Sequence, residues 1–93
     1  MNIGKAIKLC RKQKNWTLAE LADKSNLSTS YISLLEQGKR DPNLSKLENI
    51  AESLKIPLSV LLFLGTDKKE IESISPELAE KLSLTTLKLI EEL

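Results

Sequence analysis

Apolar residues recur along this chain at intervals of three and four, the period of helices with one buried face, and no stretch alternates as a strand would. Ile3, Ile7, Cys10 and Lys14 share one stripe with Ala6 beside it, which predicts a helix from about Ile3 to Lys14. Asn15 then suits a left-handed helix end. Thr17-Leu18-Ala19-Glu20 is a capping box, so a second helix starts there, runs to about Lys24 and buries Leu21 and Ala22. A turn at Ser25-Asn26 follows, then Ser28 caps a third helix from Thr29 to Gln37, ended by Gly38. Asn43 caps a fourth, Leu44 to Leu54, with a stripe of Leu44, Leu47, Ile50, Ala51 and Leu54. Pro57 opens a fifth helix to Leu64, and Gly65 closes it. Residues 1–65 thus read as one all-α unit of five helices.

Residues 66–93 differ. A charged stretch from Thr66 to Ser73 precedes Ser75-Pro76, a cap with a first-turn proline, which starts a C-terminal helical extension. Its Leu78, Leu82, Leu89 and Leu93 are spaced by about four, with Leu87 and Ile90 nearby. That stripe needs a cover, from the domain itself, a second copy or another protein. The fifth helix is apolar nearly all round, so Leu58, Leu62 and Phe63, together with Leu82, Leu89 and Leu93, are the candidate dimer or partner surface.

Composition removes most chemistry. The chain has no His and a single Cys, Cys10, so it cannot build a Cys/His zinc site, an internal disulfide or a His-based triad. With three glycines and no Gly-rich phosphate loop, no catalytic, metal or cofactor site is expected. Cys10, on an inner stripe, is read as an inert buried residue. The amino terminus carries charge in every turn, unlike a signal peptide, and a cytoplasmic location is expected. The longest apolar stretch, Ile56 to Leu64, is broken by Pro57 and Ser59 and is about half of the ~20 residues a membrane span needs.

The second and third helices, joined by Ser25-Asn26-Leu27-Ser28, have the spacing of a helix-turn-helix. Around it stand Ile7-x-x-x-Arg11, Thr17-Leu18-Ala19-Glu20-Leu21-Ala22, Ser30-Tyr31-Ile32-Ser33-x-Leu35-Glu36-x-Gly38-Lys39-Arg40, Pro42 and Leu47-x-x-Ile50-Ala51-x-x-Leu54. Over roughly residues 3 to 64 these resemble the lambda-repressor/Cro-like, or XRE, family of bacterial and phage transcriptional regulators. The resemblance implies a five-helix DNA-binding domain whose third helix enters the major groove. It also implies that Arg11 and Glu36 pair across the first and third helices and hold the recognition helix at its angle.

Helix geometry assigns the faces of the third helix. Ile32 and Leu35 point inward, while Thr29, Ser30, Ser33, Leu34 and Gln37 share the opposite face. Hydroxyls of Thr29, Ser30 and Ser33 suit base edges, and Leu34 suits a thymine methyl. Gln37 can reach a phosphate or a base. Phosphate contacts, which set register, are expected from Lys39 and Arg40, from Asn43, Ser45 and Lys46, and from Thr17 and Leu18 at a helix N-terminus that favours an anion. Tyr31 can add its hydroxyl; Trp16 and Phe63 are read as packing residues.

The expected function is therefore a sequence-specific repressor that binds double-stranded DNA as a homodimer on a two-fold operator, without a membrane or cofactor. The alternative is a protein-interaction module, such as a DNA-binding antitoxin or an antagonist of another regulator, acting through residues 66–93. Charge distribution bears on both. Net charge is only +1, yet residues 1–55 hold ten Lys plus Arg against six Asp plus Glu, whereas residues 56–93 hold four against seven. The basic part should face DNA, and the acidic part should point away from it.

Overall fold

A computed structural model describes residues 1–66 together with residues 77, 80, 81, 84, 87, 88 and 91. Within them lie α1 (Ile3–Gln13), α2 (Leu18–Ser25), α3 (Thr29–Glu36), α4 (Leu44–Ser53) and α5 (Leu58–Leu64), with no strand among the described residues. The fold is all-α, as the spacing of apolar residues predicts.

Each of the first four helices starts on a side-chain cap that satisfies an otherwise orphaned N–H. Asn2 accepts from the Lys5 N–H at 3.0 Å, Ser28 from Tyr31 at 3.1 Å and Asn43 from Lys46 at 2.9 Å. The capping box of α2 is complete: the Thr17 hydroxyl accepts from the Glu20 N–H and the Glu20 carboxylate from the Thr17 N–H, both at 3.1 Å. Left-handed residues stop the helices where Asn and Gly were expected, with φ of 60° at Asn15, 55° at Asn26 and 73° at Gly38. Lys55, at φ 58°, makes a fourth such turn that nothing in its residue type announces. Lys14, Gln37 and Leu54 prove to be C-caps, one residue beyond the helices they were expected to end.

The core gathers Ile7 and Cys10 of α1, Leu21 of α2, Ile32 and Leu35 of α3, Ile50 of α4, Leu61 of α5, and Leu54 and Ile56 from the α4–α5 turn. Burying each such aliphatic side chain stabilises the fold by about 1.5–3 kcal/mol. α1 packs on α3 and α5, α2 on α3 and α4, and α4 on α5. One expected core position is corrected: Leu44 stands 61% exposed, because α4 joins the core only from Leu47 onward. In α5 only Leu61 is fully buried; Leu58, Leu62 and Phe63 remain half-buried. Leu82, Leu89 and Leu93, the rest of that candidate surface, lie outside the described residues.

Polar groups fasten the helix-turn-helix to α4. The Asn49 side-chain amide donates to the Ser25 carbonyl and the Ser53 hydroxyl to the Lys24 carbonyl at 3.1 Å, so α4 satisfies the last carbonyls of α2. At the other side of α3, the Gly4 Cα faces the backbone of Leu35 so closely that a Cβ there would lie 1.9 Å from the Leu35 carbonyl oxygen. Glycine is what lets α1 approach α3.

Candidate nucleic-acid interface

The core leaves the outward face of α3 free. Ile32 and Leu35 are buried, while Thr29, Ser30 and Gln37 are exposed, Leu34 is 36% exposed and Ser33 is half-buried. The structure thus brings the five predicted outward residues together on one surface. The Gln37 amide donates to the Ser33 hydroxyl at 2.8 Å, which holds both polar groups in a defined orientation and leaves the Gln37 carbonyl oxygen and the Ser33 proton for a base edge. Ser28 and Ser30 hydroxyls stand 3.4 Å apart at the start of the helix.

A cationic cluster borders this face. The Lys46 ammonium lies 4.6 Å and the Arg40 guanidinium 5.4 Å from the centroid of the half-buried Tyr31 ring. The ring attracts both cations and places two positive charges from separate elements beside α3. Lys39 and Asn43 in the α3–α4 connection and Ser45 in the first turn of α4 are exposed. Asn43 spends its side-chain oxygen on the α4 cap, so the group it can offer to a phosphate is its amide N–H.

At the start of α2 the capping box narrows the choices. The Thr17 N–H is already engaged by the Glu20 carboxylate, so the donors left for an anion are the Thr17 hydroxyl and first-turn N–H groups. Leu18 is half-buried against the core, and its side chain offers nothing to a phosphate; only its backbone N–H could take part.

The orientation of α3 is held by one ion pair. Arg11 donates from Nε to Glu36 Oε2 at 2.7 Å and from a terminal nitrogen to Oε1 at 2.9 Å, and its third arm donates to the Trp16 carbonyl at 2.8 Å. The side chains are 10% and 6% exposed. Hydrogen bonding to Glu36 pushes the Arg11 pKa above its already high value, so the guanidinium stays charged at any ordinary pH. Arg11 therefore links α1, the turn into α2 and the end of α3.

Two further features are structural. Burial pushes the Cys10 thiol up to about 11, partly offset by Lys14, which keeps it protonated and unreactive. Lys14 and Lys24 flank the Trp16 ring at 5.0 and 4.9 Å, beside the C-terminal ends of α1 and α2, where lysine charge offsets the helix-end carbonyls. Burial, with repulsion from Lys55, lowers the Lys14 pKa. Sequence reasoning missed the Tyr31–Arg40–Lys46 grouping as a unit; the signal available was an aromatic on the outer half of α3 ahead of two basic residues. Among the described residues no cluster of Cys, Asp and Glu could hold a metal ion, and no helix is long and apolar enough to cross a membrane.

Residues 7–61 match the profile of a family described as helix-turn-helix. The chain is 40% identical over 62 residues to the immunity repressor protein of Bacillus phage phi105, an alignment covering 67% of this chain and 43% of that protein. It is 35% identical over 71 residues to the HTH-type transcriptional regulator SinR of Bacillus licheniformis, covering 75% and 61%. The matched region spans about half the length of such curated relatives. Among solved structures, the clp gene regulator ClgR from Corynebacterium glutamicum superposes with a TM-score of 0.70 at 26% identity, over 90% of this chain and 89% of that one.

Proposed function

The chain belongs to the helix-turn-helix family, and from that membership and the free face of α3 we propose that it is a sequence-specific, DNA-binding transcriptional repressor. The observation that carries the proposal is the hydroxyl-rich surface of Thr29, Ser30, Ser33, Leu34 and Gln37, unburied beside the Tyr31–Arg40–Lys46 cluster. In this reading α3 enters the major groove, where its hydroxyls and the Gln37 amide meet base edges and Leu34 meets a thymine methyl. Lys39, Arg40, Asn43, Ser45 and Lys46, with Thr17, the Leu18 N–H and the Tyr31 hydroxyl, hold the phosphates on either side. Repression, specifically, is supported by the names of two relatives, the phage immunity repressor and a competence pilus inhibition repressor of Acinetobacter baylyi at 38% identity over 65 residues.

One α3 reads only a few base pairs, so the protein acts as a homodimer on half-sites about 34 Å apart. It works in the cytoplasm, where the DNA is, and by occupancy alone, without catalysis or cofactor. Footprinting on DNA upstream of its own gene tests the reading. Two protected half-sites one helical turn apart are expected. No protected site at low salt, with a dimeric preparation, would overturn it. A second reading, a module that binds another protein through residues 66–93, draws on the exposure of Leu84 and Leu87; protein-dependent release of the footprint would support it.

A further inference from the structure

Arg11 and Glu36 fix the end of α3; the direction in which α3 starts is set by how α2 stops. A helix leaves its last four carbonyls without partners inside the helix. In α2 these belong to Ala22, Asp23, Lys24 and Ser25. The first two are met locally, because the Leu27 N–H donates to Ala22 at 2.9 Å and the Asn26 N–H to Asp23 at 3.2 Å. The other two are met from α4. The Ser53 hydroxyl has one proton and two carbonyls in reach, Lys24 at 3.1 Å and Asn49, one turn back on its own helix, at 2.9 Å. The Asn49 side-chain amide, by contrast, donates to Ser25 alone and is the undivided link.

That link falls on the pivot of the helix-turn-helix. Ser25 is fully buried, so its carbonyl takes its donor from the protein. A peptide unit is planar, so fixing the Ser25 carbonyl also fixes the Asn26 N–H on the other side of the same plane. Asn49 holds the first and Asp23 the second. Directly after this pinned plane the backbone turns left-handed at Asn26, φ 55° and ψ 39°, a conformation that side-chain-bearing residues seldom adopt. Only Asn26, Leu27 and Ser28 separate the Ser25 carbonyl from the first residue of α3. A small rotation of the plane would therefore be carried into the whole of α3.

We propose that Asn49 is a positioning residue of the DNA site. By holding the Ser25–Asn26 peptide plane it sets the angle at which α3 leaves the turn, and so the aim of Ser30, Ser33 and Leu34 at base edges. Asn49 is outside the proposed DNA-contacting set and acts through the backbone of the turn. The inference rests on the repressor reading for what α3 does, and on the geometry alone for how α3 is held.

Asn49→Leu, similar in size and without a donor, tests it with two readouts. In the free protein, residual dipolar couplings should show α3 reoriented or averaged against α1 and α4, whose own mutual orientation is kept. In competition binding, affinity for the footprinted operator should fall about tenfold while affinity for random-sequence DNA changes less than about twofold, because the basic residues that hold phosphates are untouched. If Asn49→Leu does not fold, Asn49→Ala, which opens the half-buried position to water, is measured in the same way. Unchanged couplings overturn the proposal, and so does an operator affinity that stays at the parent value or falls only in step with that for random DNA. A parent chain that protects no site sinks the repressor reading instead, and the couplings then decide the link from Asn49 to α3 by themselves.

Discussion

Removing the Arg11 side chain should come close to unfolding the domain. In Arg11→Ala, Glu36, whose side chain is 6% exposed in the native pair, loses two hydrogen bonds and its counter-ion, and the Trp16 carbonyl loses a donor as well. Leaving one partner of a buried pair alone costs about 3–5 kcal/mol. At about 0.05–0.15 kcal/mol per residue, residues 1–66 have roughly 3–10 kcal/mol in total, so the loss consumes a third of that or more. A domain this size moves about 4–8 °C in Tm per kcal/mol, so the midpoint should fall by at least about 12 °C. Far-UV circular dichroism melts, with urea titrations to check the slope, measure this directly. Replacing both partners, as Arg11→Met/Glu36→Leu, should recover most of the loss, because no charge is then left unpaired. The pair's main role would in that case be positional, and the refolded double variant should bind operator more weakly than its stability suggests. A single variant within about 1 kcal/mol of the parent, or a double variant as unstable as the sum of the singles, would refute the reasoning.

Other perturbations probe other links. Gly4→Ala drives a Cβ against the Leu35 backbone, which has no flexible end to move, so it should cost about 1–3 kcal/mol by overpacking; a neutral melt would show that α1 and α3 are not in contact here. Burial raises the Cys10 pKa from an ordinary 9.0 to about 11, so the folded state holds its proton more tightly. Its contribution is complete below pH 9 and is lost as pH rises toward 11, about 3 kcal/mol in all, a fall that Cys10→Ala should abolish in urea titrations across that range. Leu34→Ala should change sequence preference in competition binding while leaving nonspecific affinity intact. Arg40→Ala should weaken all DNA alike and reduce the salt slope by about one, and an unchanged slope would remove Arg40 from the phosphate contacts.

Much of the architecture was legible because it is built from short-range interactions. Thr17 and Glu20, Ser28 and Tyr31, and Asn43 and Lys46 are each three residues apart, so the caps can be read directly from the residue order. The outward set on α3 was legible for the same reason, since helical spacing alone divides Ile32 and Leu35 from Thr29, Ser30, Ser33, Leu34 and Gln37. Less legible was which apolar residue is covered. Leu44 and Leu47 look alike in sequence, yet the first is exposed and the second packs against the core. Leu9 is left exposed on α1 because its neighbours Ile7 and Cys10 already fill the buried side.

The order of residues by itself determined five helices, their caps, the helix-turn-helix and the face of α3 that points outward, because backbone hydrogen bonds and a 3.6-residue repeat act within a few positions along the chain. Tertiary structure decided the rest. It set Arg40 and Lys46 around Tyr31, fastened α4 to the end of α2 through Asn49 and Ser53, and pressed α1 onto α3 at Gly4. It also left Leu9, Leu84 and Leu87 in the open. These depend on how helices pack against one another, and close packing is a property of facing surfaces that no single segment carries.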